Sequence, residues 1–101
     1  MPPDLIEIAV PRDLEPLMPR FLANRRLEIS KMQAFLAEGN FEGVRQAGHS
    51  LKGVGGSFGF HTLTELGDRI ETHAKAQDKP ALDIAVAEYV DFMARVSVRY
   101  V

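Results

Sequence analysis

His49 and Lys52 are the two residues whose types and spacing best suit chemistry in this sequence. An imidazole has a pKa of about 6.5 in water, so near neutral pH one ring nitrogen is a free nucleophile. Lys52 follows three residues later, and side chains at that spacing are neighbours on a helix. Its ammonium can therefore offset negative charge on an anion attached to His49. The pair predicts an accessible, basic site for an anion.

Glycine is concentrated around this pair. The segment AGHSLKGVGGSFGF, residues 47–60, holds five of the eight glycines of the chain. Each glycine inside a helix costs roughly 1 kcal/mol relative to alanine. At about 100° per residue, Gly53 and Gly56 fall within about 40° of His49 on a helical projection. We expect these two glycines to clear space so that a partner's backbone can approach the imidazole.

The elements that position these residues are predicted to be helices. Apolar residues recur at helical spacing over residues 20–38, 41–58 and 61–77, and again from Pro80 nearly to the end. A short helix is expected at 13–18, and Asn40 and Asp78 are expected to cap the helices that follow them. The tail VSVRYV alternates like a strand, but a lone strand needs a partner, so we expect a fraying helix end. The predicted fold is all-α, an antiparallel four-helix bundle with a short additional N-terminal helix.

Helical phase separates the site from the core. Five residues, Val44, Gly48, Leu51, Gly55 and Phe58, follow a 4-3-4-3 spacing that predicts a narrow buried seam on the helix at 41–58. His49 lies about 160° from Leu51 and so faces solvent.

Composition excludes several classes of protein. The 101 residues predict a single domain spanning 1–101, and the net charge of −2 without a basic stripe disfavours nucleic-acid binding. There is no cysteine, so disulfides and zinc–thiolate sites are excluded. No apolar run approaches the roughly 20 residues of a membrane span. The acidic N-terminus MPPDLIEIAV does not look like a secretory signal. We expect a cytoplasmic protein.

Metal and nucleotide sites are not expected. His49, His61 and His73 are spaced by twelve residues, and no pair lies at the i, i+4 spacing of helical metal ligands. The run GVGG lacks the full spacing of a dinucleotide-binding loop. Lys52 precedes the glycines, whereas the lysine of a P-loop follows them.

The segment HSLKGVGGSFG, residues 49–59, resembles the motif of the histidine phosphotransfer (Hpt) domain family. His49, Leu51, Lys52, Gly53 and Gly59 match its histidine, leucine, lysine, glycine and later glycine. The continuation TLTELGDRIE, residues 62–71, is similar to the helix that follows in that family. The length and the predicted helices also agree, so the resemblance covers essentially the whole chain.

The resemblance implies a phosphorelay intermediary of a two-component system. His49 would accept a phosphoryl group from a receiver-domain aspartate and pass it to another receiver, with Lys52 stabilising the group and Gly53 giving clearance. The implied partners are response-regulator receiver domains and a hybrid or sensor histidine kinase, with the chain acting as a monomer. The family has no ATP-binding segment, so the chain would carry phosphate without being a kinase. No cofactor is expected in this chain, because the receiver supplies Mg²⁺.

Two departures from the family pattern concern the residues around the histidine. Val54 and Gly55 stand where the family often has small hydroxyl residues. In the family, a polar residue often faces the histidine from the next helix. In the predicted helix at 61–77, this residue is predicted to be Glu71, with Lys75 one turn later. A hydrogen bond from one ring nitrogen to Glu71 would set the tautomer and leave the other nitrogen free; without that bond, Glu71 is an ordinary solvated residue.

Other residues are expected to complete the site. Besides His49, Lys52 and Gly53, six residues are predicted to contact the phosphoryl group or the receiver. They are Arg45, Gln46, Gly56, Gly59, Glu71 and Lys75. An apolar contact surface is expected to include Leu14, Leu17 or Phe21, whereas Phe58 and Phe60 are expected to close the end of the bundle. The alternative function is a helical interaction module without covalent chemistry.

Overall fold

Four α-helices make up most of the chain in the computed structural model, which describes residues 4–101. They are α1 (Met18–Ala37), α2 (Phe41–Phe58), α3 (His61–Lys75) and α4 (Lys79–Arg95). Short turns connect them into an antiparallel bundle, which confirms the predicted all-α fold class. Residues 1–3 belong to the N-terminal segment that was expected not to be a secretory signal, and they lie outside the described residues.

The helix ends follow from local side-chain and backbone chemistry. The Asn40 side chain accepts a hydrogen bond from the backbone N of Gly43 at 2.9 Å, and Asp78 does the same for Ala81 at 3.2 Å. These bonds satisfy backbone donors that a helix start leaves free, so both predicted caps are confirmed. At the other end of α2, Gly59 adopts a left-handed conformation with φ of 77°, which glycine tolerates without strain.

The short N-terminal helix differs from the prediction. Residues Arg12–Leu17 form a 3-10 helix, whereas an α-helix at 13–18 was expected. Pro16 lies inside this segment and cannot donate the backbone hydrogen bond that an α-helix would need there. The long helix α1 begins directly afterwards at Met18, with Pro19 in its first turn. At the end of α3 the helix stops at Lys75, two residues earlier than predicted.

The prediction of a fraying C-terminal helix is wrong. Residues Val96–Tyr100 form a strand, β2, that pairs in parallel with a strand near the N-terminus, β1 (Ile6–Val10). The pairing aligns Ile6 with Val96 and Val10 with Tyr100. Both segments alternate and contain β-branched residues, so the N-terminal strand supplies the partner that the tail was assumed to lack. The two strands bring segments near both ends of the chain together, and their apolar side chains pack on the hydrophobic core.

The core lies between the four helices and extends under the strands. The residues with no exposed surface include Val10, Met32, Val44, Leu51, Leu63, Ile70, Leu82, Ala85 and Tyr89. Four residues of the predicted seam on α2 are buried, namely Val44, Gly48, Leu51 and Gly55, whereas the fifth, Phe58, is only half-buried at the last position of the helix. The opposite face of α2 is therefore left to solvent. Within residues 4–101, none of the helices combines the length and the apolar character needed to cross a membrane.

Candidate functional site

His49 stands on the outer face of α2, and its ring is held by a carboxylate from α3. Nδ1 of His49 lies 2.9 Å from Oε2 of Glu71. The histidine side chain is 72% exposed, whereas that of Glu71 is only 11% exposed. A carboxylate can only accept, so Nδ1 carries the proton in this hydrogen bond. In the neutral ring, the second nitrogen, Nε2, is then unprotonated and has a free lone pair.

Two glycines bring α3 close enough for Glu71 to reach the ring. A Cβ atom at Gly48 would lie 2.8 Å from the backbone N of Glu71, and one at Gly67 would lie 2.7 Å from the carbonyl O of Gly48. Real Cβ atoms do not approach backbone atoms so closely, so any larger residue would push the helices apart. The close contact of α2 with α3 thus depends on Gly48 and Gly67, and it places Glu71 directly beside His49.

Two positively charged side chains lie near the carboxylate of Glu71. Nη1 of Arg45 and Nζ of Lys75 each lie 4.0 Å from Oε2 of Glu71. Arg45 is bound more tightly by Glu42, with 2.8 Å between Nε and Oε2, and this hydrogen bond lowers the pKa of Glu42. Glu71 therefore lies among three groups able to carry positive charge, of which only His49 donates a short hydrogen bond to it.

Lys52 lies on the same face but contacts a residue that was not predicted. Its Nζ donates to Oδ1 of Asp68 at 2.8 Å, across the contact between α2 and α3. This hydrogen bond raises the pKa of Lys52 and lowers the pKa of Asp68. The two residues are sixteen apart in sequence, so only the relative phase of two packed helices could have linked them. Asp68 does follow Gly67 within TLTELGDRIE, and the small residue was the available signal for a close contact there.

The five glycines of residues 47–60 have three different roles. On the solvent side, apart from the neighbouring backbone of α2 itself, no heavy atom of residues 4–101 lies within 4 Å of a Cβ placed at Gly53, and the nearest to one at Gly56 is Thr64 Oγ1 at 4.0 Å. Gly48 and Gly55 face α3 instead, and Gly59 ends the helix with its left-handed backbone. Only two of the five glycines therefore leave open space on the histidine's face.

The side chain of Gln46, like that of Arg45, bonds to Glu42, a residue that was not predicted to belong to the site. Its Nε2 donates to Oε1 of Glu42 at 3.3 Å, on the exposed surface one turn before the histidine. Glu42 thus accepts hydrogen bonds from both Gln46 and Arg45. The two side chains form the N-terminal border of the site.

An apolar groove of about 190 Å³ lies between the first turns of α1 and the second half of α2. Its apolar wall consists of Leu17, Phe21, Val54 and Phe58, and the Phe21 and Phe58 rings stack at 4.3 Å between centroids. Leu17 is exposed and Phe21 is buried, while Leu14 is half-buried and does not line the groove. Phe58 and Phe60 both contact Phe21, so they close this end of the bundle as expected.

The other histidines lie apart from the site. His61 is exposed in the first turn of α3, and His73 is half-buried in its last turn. Within the described part of the chain, 4–101, no group of three or more histidines, cysteines, aspartates or glutamates could hold a metal ion.

Comparison with known proteins identifies the family. The family model described as the Hpt domain matches residues 17–98, which is most of the chain. No curated protein and no solved structure gives a significant match. Hpt domains carry a phosphoryl group on histidine in two-component phosphorelays, and they are phosphocarrier modules that interact with receiver domains and histidine kinases. With helices that follow the predicted bundle and a family match that includes His49, this chain belongs to the Hpt domain family.

Proposed function

We propose that His49 is the phosphorylated residue and that this chain passes the phosphoryl group between receiver domains. The observation that carries the proposal is the geometry of the ring. Nδ1 donates to a buried carboxylate at 2.9 Å, while most of the imidazole is exposed. A ring held in this way presents Nε2 outward as the nucleophile, in the correct tautomer before the partner arrives.

The transfer step balances without a further reactant. Nε2 of His49 uses its lone pair to bond the phosphorus of a receiver's aspartyl phosphate. The bond between phosphorus and the aspartate oxygen breaks, and its electron pair stays on the carboxylate. The imidazole keeps its Nδ1 proton and becomes positively charged, which the Glu71 carboxylate stabilises at 2.9 Å. Passing the group to a second receiver reverses these changes.

Lys52 and Gly53 have distinct roles in this proposal. The Lys52 ammonium offsets charge on the transferring phosphoryl group, as positively charged groups do in other phosphoryl transfers. Gly53 keeps the surface beside His49 low, because a Cβ there would meet no atom of residues 4–101 within 4 Å other than the neighbouring backbone of its own helix. Gly56 extends the same open surface. Arg45 and Lys75 act on the phosphoryl group through their positive charge, while Gln46 and Gly59 border the receiver's contact area.

The apolar groove beside the site is proposed as part of the receiver's contact area. Leu17 is exposed at its edge, and Phe21, Val54 and Phe58 form its wall. Excluding water from the transfer requires a closely packed interface next to His49, and an apolar surface supplies one. The groove adjoins the open glycine surface through Val54, which directly follows Gly53.

The wider proposal concerns how the chain works in the cell. We propose a single domain over residues 1–101, acting as a cytoplasmic monomer without kinase activity of its own. Its partners are response-regulator receiver domains together with a hybrid or sensor histidine kinase. The Mg²⁺ and the acidic pocket for transfer come from the receiver.

Labelling with a panel of receiver domains carrying ³²P-aspartyl phosphate tests the function. We expect label on this chain that is labile to acid and stable to alkali, and we expect His49→Gln to abolish it. His61→Gln is the matched control, since His61 is an exposed histidine of the next helix, and it should take up label normally. Receivers that bind without transferring label would instead support an interaction module without covalent chemistry. Label retained by His49→Gln would contradict the assignment of the residue.

A further inference from the structure

The Lys52 ammonium is already paired with a carboxylate of α3. Its Nζ lies 2.8 Å from Oδ1 of Asp68, and the two side chains are 44% and 56% exposed. The ammonium that should neutralise a phosphoryl group on His49 is therefore already paired. Any anion that arrives at His49 must compete with the Asp68 carboxylate for it.

The packing of the two helices brings the backbone of Lys52 close to α3 just before its partner residue, Asp68. A Cβ at Gly67 would lie 2.8 Å from Cα of Lys52, so the Lys52 backbone rests against α3 immediately before Asp68. Asp68 and Glu71 are three residues apart and so share one edge of α3. Across the helix contact, Glu71 binds His49 and Asp68 binds Lys52, which gives two carboxylates facing two basic groups.

The two carboxylates differ in how readily they can release their partners. Glu71 is largely buried, and losing its hydrogen bond to His49 would leave a buried charge without a short hydrogen bond. Asp68 is exposed, so water can replace Lys52 at little cost. Lys75 also acts on Asp68, since its charge contributes to lowering the pKa of that carboxyl. A released Asp68 thus keeps a nearby cation.

We propose that Asp68 is a positioning residue that competes with the phosphoryl group for Lys52 and so limits how much phosphate His49 holds at equilibrium with a receiver. The inference rests on the proposed function. When the phosphorus–Nε2 bond forms and the receiver's aspartate leaves with its electron pair, Lys52 moves from Asp68 to the phosphoryl oxygens. Because Asp68 must give up its partner, phosphohistidine is less favoured than it would be with a free lysine. The group consequently passes on to an acceptor more readily.

The test is a double-mutant cycle at equilibrium with a receiver found by the labelling panel. The variants are Asp68→Asn, Lys52→Gln and the two combined, each mixed with the same ³²P-labelled receiver. We expect Asp68→Asn to raise the ratio of phosphorylated chain to phosphorylated receiver about two- to fivefold, the range for releasing an exposed ion pair. Lys52→Gln should lower that ratio, and adding Asp68→Asn to Lys52→Gln should then have no further effect.

Asp83→Asn is the matched control. Asp83 pairs with Lys79 at 3.0 Å on α4, apart from the site, so this variant should leave the equilibrium unchanged. An unchanged ratio of phosphorylated chain to phosphorylated receiver in Asp68→Asn would overturn the inference. The inference would also be overturned if Asp68→Asn raised this ratio equally in the presence of Lys52→Gln, because Asp68 would then act on the phosphoryl group directly through its charge. Both results require wild-type chain that takes up label. Failure of the wild type to label from any receiver would instead count against the proposed function itself.

Discussion

Oε2 of Glu71 lies 2.9 Å from Nδ1 of His49, and the two side chains differ sharply in exposure, at 11% and 72%. The acceptor of this hydrogen bond is thus anchored in the protein, while the donor ring reaches into solvent. The arrangement resolves a conflict between two requirements. A nucleophile for a protein-bound phosphoryl group must be accessible, but its ring must also be oriented and its proton kept on the nitrogen away from the partner.

Glu71→Gln is expected to slow phosphoryl transfer about tenfold or more, as for other groups that orient an imidazole. Glutamine keeps a neutral acceptor, but it removes the negative charge that stabilises the positively charged phosphoimidazole. Rapid-quench transfer from a labelled receiver gives the rate. In wild type, ¹⁵N NMR at mildly alkaline pH should show the proton on Nδ1, and the variant should show a mixture of tautomers.

Glu65→Gln is the control for the loss of one negative charge from α3. Glu65 is exposed on the same helix and is not among the contacts of the imidazole, so transfer should proceed at the native rate. Native transfer by Glu71→Gln as well would show that this carboxylate has no part in the reaction.

Two glycine-to-alanine variants are expected to change stability in opposite directions. Gly67→Ala would place a Cβ 2.7 Å from the carbonyl O of Gly48, against backbone that cannot move unless α2 and α3 separate. We expect a loss of about 1–3 kcal/mol in the free energy of unfolding. The methyl group of Gly53→Ala would meet no atom of residues 4–101 within 4 Å other than the neighbouring backbone of its own helix, so this variant should gain roughly 1 kcal/mol from helix propensity. Urea denaturation measures the change in the free energy of unfolding for each variant. If both variants were stabilised, or both destabilised, this account of the two glycines would be wrong.

Tyr89→Phe should destabilise the bundle in a way that depends on pH. The Tyr89 hydroxyl donates to Oε1 of Glu28 at 2.9 Å, and burial raises the pKa of Glu28 above its usual 4.5 despite the opposing charge of Arg25. A hydrogen bond to an ionised group contributes about 1.5–3 kcal/mol, against about 1 kcal/mol between neutral groups. We expect the larger loss at the higher pH, where more of the Glu28 carboxyl is ionised.

The sign of the pH dependence follows from the raised pKa of Glu28. Because the folded state binds the Glu28 proton more tightly than the unfolded state does, this group adds to the free energy of unfolding as the pH falls. The gain builds up between the folded-state pKa and the unfolded-state value of 4.5. The hydrogen bond from the Tyr89 hydroxyl lowers the pKa of Glu28, so its loss in Tyr89→Phe should raise that pKa further. The difference in the free energy of unfolding between variant and wild type should therefore narrow as the pH approaches 4.5. Denaturation curves at pH 7 and pH 4.5 measure it, with Tyr100→Phe on β2 as control. A difference that grows on acidification would contradict the role given to Glu28.

Val10→Ala tests whether the paired strands are part of the folded unit. Val10 is fully buried at the end of β1, opposite Tyr100 of β2. Removing two buried methyl groups should lower the free energy of unfolding by about 1.5 kcal/mol or more. Leu5→Ala, at an exposed leucine just before β1, should have little effect on the melting temperature or the unfolding curve. Equal stability of Val10→Ala and wild type would mean that the strands contribute nothing to the core.

Local patterns carried most of the fold prediction. The spacing of Val44, Gly48 and Leu51 correctly assigned the buried face of α2, and the opposite phase placed His49 in solvent. Asn40 and Asp78 were recognisable as caps because a cap bonds to a residue three positions away. Such features depend on neighbours along the chain, so the sequence alone contains them.

The strands could not be predicted in the same way, because β1 and β2 pair across almost the whole length of the chain. Each is too short to stand alone, and the apolar alternation of IEIAV was the only signal for a partner. A pairing between distant segments becomes visible only when the bundle brings the two ends of the chain together.

By itself, the sequence determined the helices, the exposure of His49 and its likeness to a phosphotransfer motif, because each is a property of periodicity or of adjacent residues. Tertiary structure decided which partners the basic groups have. The phase and separation of α2 and α3, set by Gly48 and Gly67, buried Glu71 beside the imidazole and placed Asp68 against Lys52. Hydrogen bonds between helices depend on backbone distances of a few ångströms, which no spacing along one chain specifies.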